Sequence, residues 1–274
     1  MIRWPNKRSA VICLWSAWIL SWGIAYPASA GTLSIRIRTT LIVENHLLKG
    51  TVDIDNRGSE AAFRLQMEIL FPSESVTFPE VPHLNANESK SFALDHHLAS
   101  VKNGIYPLPI IVTFHDMNLY PFSALSCPTF AVGQEPKGKI SYRSKPFTVA
   151  KEGAALFYLE NSESLAKNLT ATIILPREFA SPEKDQRVRL GPEQRKTVSF
   201  KIINQHALPC ATYPVFCVFQ YDEQGLHHTF VCQVLGTVTE GKNWFYRTRW
   251  LWLAGGVALV LFMLAKGWFT RGPC

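Results

Sequence analysis

No tryptophan falls between Trp22 and Trp244 of this 274-residue chain; all eight lie in its two end segments. The long middle therefore lacks the broadest of the aromatic rings on which a sugar could stack. Helical periodicity is missing from the same stretch: between residues 31 and 240 no sustained three-and-four spacing of apolar residues occurs. Also missing are Cys-x-x-Cys, His-Glu-x-x-His, an acidic calcium loop, a Gly-x-Ser-x-Gly elbow and a glycine-rich phosphate loop. Nothing in the motifs supports a metal centre, a hydrolase or a nucleotide site, and no cofactor is implied. The excess of 28 basic over 21 acidic residues is modest, and no Lys/Arg tract occurs in the middle, so nucleic acid is not the expected partner.

The two ends do carry signals. Arg3, Lys7 and Arg8 precede an apolar run from Ala10 to Tyr26, then Pro27 and Ala28-Ser29-Ala30. Charge, apolar stretch and small-residue site in that order describe a secretory signal over residues 1–30, cleaved before Gly31; an uncleaved anchor is the alternative, because the run is long. Near the other end Trp250 to Ala265 carries no charge. Sixteen helical residues reach roughly 24 Å, short of a hydrocarbon core of about 30 Å. Arg249 and Lys266 can snorkel, and Trp244, Phe245, Tyr246, Trp268 and Phe269 suit the interfaces, so a single transmembrane helix with its flanks is expected over 244–269. The signal would export residues 31–245 and leave 270–274 as a cytoplasmic tail. Lys242, Arg247 and Arg249 outside outnumber Lys266 and Arg271 inside, against the usual bias, and the first segment is given precedence.

Between the ends the chain repeats itself. Asn56, Pro72, Leu84, Lys90, Tyr106-Pro107 and Asp116 recur as Asn161, Pro176, Leu190, Lys196, Tyr213-Pro214 and Asp222, at offsets of 104 to 107 residues. This is the trace of a duplicated domain of about one hundred residues. Phe63 to Ile69 alternates apolar with polar, as do Leu33 to Arg38 and Val198 to Ile202, which is the period of a half-buried strand. Ile105–Phe114 and Tyr213–Phe219 are longer apolar runs suited to central strands. Strands are expected at 33–39, 47–55, 62–71, 89–94, 105–115 and 125–132, then at 143–149, 154–160, 168–175, 186–190, 196–203, 213–221 and 226–238. The fold expected is all-β: two tandem immunoglobulin-like β-sandwiches, 31–135 and 136–240, joined by a short linker into a semi-rigid rod.

Four of the six cysteines, Cys127, Cys210, Cys217 and Cys232, fall in the exported part, where disulfides are favoured over redox or metal chemistry. A hairpin turn centred on Asp222 to Gly225 places Cys217 opposite Cys232, the first choice of pair. Cys127 and Cys210 would then link the two modules or stay free, and buried unpaired thiols remain the alternative. Histidines 96, 97, 227, 228 and 115 invite a metal reading, but adjacent strand residues point to opposite faces.

Leu190-Gly191-Pro192-Glu193, with Ala211-Thr212-Tyr213-Pro214-Val215, resembles the turn and tyrosine strand of bacterial Ig-like envelope domains, of the CARDB and α-galactosidase-associated types. Asn56-Arg57-Gly58 resembles their early turn, while Asn85-Ala86-Asn87-Glu88 replaces the proline turn in the first module. The resemblance implies accessory or adhesive modules beside transport, secretion or carbohydrate-active machinery. Tyr106 and Tyr213 are expected at structural tyrosine corners.

The function expected is that of a non-enzymatic protein of the bacterial inner membrane, with residues 31–245 in the periplasm, binding or spacing other envelope or membrane proteins. Trp244, Phe245, Tyr246, Gly255 and Gly256 are candidate contacts with a membrane partner, and the bilayer itself is met through the C-terminal helix. A carbohydrate-binding or adhesive module facing polysaccharide, using Tyr120, Phe122 and Tyr142, is the alternative.

Overall fold

The computed structural model describes residues 31–98, 101–136, 138–240, 248, 250–259 and 262. The described residues are overwhelmingly strand, and from Leu33 onward they belong to one compact unit. The signal segment 1–30, Trp244, Phe245, Tyr246 and the tail 270–274 lie outside the described residues.

In the N-terminal half, β1 (Ile35–Glu44), β2 (Leu47–Asn56) and β6 (Ser89–His97) form a three-stranded antiparallel sheet in the order β1-β2-β6. Opposite it, β3 (Ala62–Leu70) is flanked by β4 (Ser75–Thr77) and β5 (Val81–Leu84) on one side and by β8 (Ile110–His115) and β9 (Pro121–Ser126) on the other. Leu48, Val52 and Ile54 from the first sheet and Leu65, Met67, Ile69 and Val112 from the second close one core. In the C-terminal half, β11 (Ile140–Ser144), β13 (Glu152–Asn161), β17 (Arg195–Asn204) and β15 (Phe179–Ala180) form a four-stranded sheet. It covers a larger sheet containing β14 (Lys167–Ile174), β16 (Asp185–Leu190), β18 (Thr212–Glu223) and β19 (Leu226–Val238), with β12 (Phe147–Val149) parallel to β19. Phe157, Phe200 and Phe219 meet edge to face in that second core, each contributing roughly 1.5–3 kcal/mol by burial.

Asn56 and Asn161, matched in the sequence repeat, sit in two similar polar knots. The Asn56 amide donates to Glu60 O at 2.7 Å and Leu84 O at 3.0 Å, while its oxygen accepts from Gly58 N. The Asn161 amide donates to Leu165 O and Gly191 O, both at 2.8 Å, and its oxygen accepts from Glu163 N. Both asparagines are fully buried, so each holds its turns together where water cannot.

Proline corrects three expected strands, of which 143–149 breaks at Lys145-Pro146 into the end of β11 and β12. The run Ile105–Phe114 is not one strand. It breaks at Pro107-Leu108-Pro109 into β7 (Gly104–Pro107) and β8, and 125–132 breaks at Cys127-Pro128 into β9 and β10 (Thr129–Val132). Proline has no amide to give the ladder, so the strands change partners there, and Leu108 N bonds Pro128 O at 2.8 Å across the break. β7 and β10 then join the C-terminal half's sheet, which runs β10-β7-β19-β18-β14-β16. The halves thus share a sheet side by side, and the linker does not hold them apart as a rod.

A further correction concerns β3. Its alternation looked unbroken, yet Arg64 has φ of 50° and the register against β8 shifts between Phe63 and Gln66. The bulge reverses the phase, so Ala62 is buried and Phe63 only half-buried.

Helical residues are found at 248, 250–259 and 262, and residues 250–259 are all exposed. Among the described residues no helix is long and apolar enough to cross a membrane.

Candidate functional site

The seam between the halves carries several polar side chains held in fixed geometry. At one end β7 lies against β19. Gly104 has φ of 148°, and a Cβ there would sit 2.1 Å from His227 O, so only glycine allows the approach. His227 N donates to Asn103 O at 2.9 Å, and its ring stacks on Tyr106 at 4.5 Å. Asp222 joins both sides, bonded by Lys102 Nζ and by His227 Nδ1, each at 2.7 Å. These two bonds hold the Asp222 carboxyl below its ordinary range.

Midway, Leu125 and Cys127 from the N-terminal half pack on Phe216 and Val218. Further along, Glu178 reaches across with only 1% of its surface exposed. Its carboxylate accepts from Ser123 N at 2.7 Å and from Ser123 Oγ at 2.5 Å, and Ser123 Oγ in turn accepts from Arg177 N at 3.0 Å. Tyr120 Oη donates to His206 O. Around this pin a groove of about 470 Å³ is lined by Arg64, Glu80, His115, Arg177, Glu178 and His206, among others.

Arg64 reaches the groove because the bulge re-aims it, and its guanidinium stands 3.7 Å from Glu80. Arg177 stands 3.8 Å from Glu68. Both pairings are loose, so donors remain for an acidic guest. Among the described residues His115 Nδ1 is buried without a partner. The Ser123 hydroxyl is taken up by Glu178, and among the described residues no imidazole bonds a serine hydroxyl.

The sequence-predicted residues are dispersed. Cys217 and Cys232 are direct partners in the β18–β19 register, as the turn implied, but all four described cysteines are free thiols. Directly opposite Cβ atoms in a sheet stand about 4.5–5.5 Å apart, wider than the 3.5–4.5 Å a bridge requires. Burial pushes the Cys127 thiol up to about 12 and raises Cys217 and Cys232 as well, which disfavours the reactive thiolate. Cys210 is exposed on the turn before β18 and stands apart from them.

Tyr106 Oη donates to Lys102 O at 3.0 Å, and Tyr213 Oη accepts from Leu208 N at 3.2 Å, each tying a strand start to upstream backbone. Gly255 and Gly256 face open space. Tyr120 and Phe122 pack on each other at the seam, and Tyr142 stacks on Phe230 while staying 45% exposed. His96 stacks on Phe71 with His97 turned to solvent, and His227 and His228 face opposite ways onto Tyr106 and Tyr221.

Sequence reasoning missed Arg64, Ser123, Arg177, Glu178 and Lys167. Lys167 is buried between Glu163 and Glu223; burial lowers its pKa, but the bonds to the two carboxylates outweigh this and raise it. Asn161 to Lys167 carried the only available hint, a cation and an acid four residues apart beside a turn.

No family model matches the chain, and no curated protein matches it. Among solved structures it is similar to red sea bream transglutaminase, at 11% identity over 76% of this chain and 34% of that one, with a TM-score of 0.28. It is similar to native E. coli alpha-2-macroglobulin at 10% identity over 74% of this chain and 17% of that one, with a TM-score of 0.28. A protein of unknown function from Porphyromonas gingivalis matches at 8% identity over 75% of this chain and 99% of that one, with a TM-score of 0.31. The chain thus spans about a third or less of the first two, and likeness at these scores carries no argument about activity.

Proposed function

We infer that the chain is a non-enzymatic, membrane-anchored envelope protein whose tandem Ig-like domains bind or space other envelope proteins. The observation that carries this reading is the helix at 250–259. Leu251, Leu253, Val257 and Leu259 are spread around it and are exposed. A helix with apolar side chains on every side suits surroundings other than water. The apolar run from Trp250 to Ala265, the basic residues at its ends and the secretory signal fit an inner-membrane anchor with the β region in the periplasm.

Recognition, not catalysis, suits the β region, since its polar groups are engaged in holding the seam and its groove offers guanidinium donors. A fixed seam also gives two domains one presenting surface, which serves spacing. Alkaline carbonate extraction of membranes from cells making the full chain, followed by crosslinking in intact cells, tests the reading. Retention in the membrane and reproducible heterologous crosslinks are expected; release by carbonate, or a chain that never crosslinks to another protein, contradicts it.

Polysaccharide binding is favoured by one specific feature, a groove of about 330 Å³ in which Tyr142 and Tyr158 lie with Arg143. Polysaccharide pull-down that fails after Tyr142→Ala is the result that supports this second reading.

A further inference from the structure

The hairpin between β8 and β9 ends in Asp116-Met117-Asn118-Leu119-Tyr120, and it is built in an unusual way. Asp116 Oδ1 accepts from both Asn118 N and Tyr120 N at 2.8 Å, and Leu119 N bonds Asp116 O at 3.1 Å. The turn forces Leu119 to φ of 62°, a left-handed conformation that glycine or asparagine would adopt with less strain. Its outcome is to hold two large apolar side chains in the open, Met117 at 71% and Leu119 at 67% exposure. Such strain with no packing return among the described residues marks a turn shaped for contact.

The strands place this tip at the end from which the chain leaves for its apolar helix. β7 runs parallel to β19, β8 continues in that direction, and the Tyr120 Oη bond to His206 O fixes the tip against the loop before β18. That loop is tied to the end of β19 by Cys210 N to Val238 O and Val238 N to Ala211 O, both 2.9 Å. Leu208, 38% exposed, lies in the same loop. From Val238 to Trp250 are twelve residues, a reach of at most about 40 Å even when fully extended.

We propose that Met117, Leu119 and Leu208 form a second membrane contact, in which the strained hairpin tip dips into the interfacial layer of the bilayer that holds the C-terminal helix. The occupant is lipid because the patch faces the end at which the chain runs on into its most apolar stretch, within reach of the same bilayer. With the helix as one point of attachment and the hairpin as another, the β region would be held at a set angle to the membrane and its groove presented in a set direction. This rests on the membrane-anchored reading above.

The test uses the full chain, with Cys210→Ser and Cys274→Ser, in mixed phosphatidylcholine and phosphatidylglycerol nanodiscs. A bimane label is placed through Leu119→Cys, or through Met117→Cys should the first variant fail to fold. The control is Leu165→Cys, 62% exposed in the turn between β13 and β14 at the opposite end of the C-terminal half. Loss of iodide quenching at the hairpin, with quenching there by headgroup-nitroxide lipid and the reverse at position 165, is expected. Equal iodide quenching at both positions overturns the proposal. So does a hairpin label shielded from iodide but untouched by nitroxide lipid, which would mean a protein covers it. Carbonate resistance of the labelled chain separates the two readings: retention with a water-exposed hairpin overturns only this proposal, whereas release overturns the anchor as well.

Discussion

Lys167 illustrates what single residues do here. A nearly buried ammonium between two carboxylates is tolerable only while all three are present. Lys167→Met leaves Glu163 and Glu223 facing each other and should cost about 3 kcal/mol in chemical denaturation. Adding Glu163→Gln and Glu223→Gln should return part of that loss; no return would mean that the charges are not the cause.

His228 sets a pH dependence. Burial against Tyr221 holds its ring below the ordinary imidazole value, so the unfolded chain takes up the proton more readily. Stability is therefore intact above about pH 6.5 and falls as pH drops towards the folded value. Asp222 and Asp55, both held low by hydrogen-bonded cations, add a further loss only below about pH 4. Melting temperature recorded from pH 8 to pH 5 should decline, and His228→Gln should flatten the decline; an unchanged slope in the variant would remove this explanation. Among the four described cysteines, Cys210 should be alkylated first in the native chain, with Cys127, Cys217 and Cys232 reacting only on unfolding, as peptide mapping would show.

At the scale of elements, the strands were readable and their partners were not. Alternation located β2, β3, β13, β17 and β19 to within a few residues, and the Asp222–Gly225 turn aligned Cys217 with Cys232. It could not reveal the bulge at Arg64, because one extra residue changes the phase without changing residue types. Nor could it reveal that β7 and β10 leave their own half, since Pro109 and Pro128 read equally well as interruptions within a strand. The groove and the Glu178 pin follow from that exchange of partners, so most of the candidate site was invisible to local pattern. Gly104 is where the exchange is most exposed to test. Gly104→Ala should lift β7 from β19 and lower the melting temperature, with faster amide exchange at His227 before the rest of β19; uniform exchange along the strand would argue against a local latch.

For the whole molecule, two buried cores and the small Leu125–Phe216 cluster between them hold the halves together. Asn56 and Asn161, paired in the sequence repeat, do the same structural work, each closing turns from a fully buried position. The partner was not legible, because a recognition surface needs no fixed spacing of residue types in the sequence. Anchoring and recognition together make up the account, and they meet in one measurement. Crosslinking mass spectrometry on intact membranes containing the full chain should find heterologous crosslinks on the exposed β surface and lipid-facing protection of residues 250–259. A chain extracted by carbonate, and crosslinked only to itself or to nothing, would contradict it.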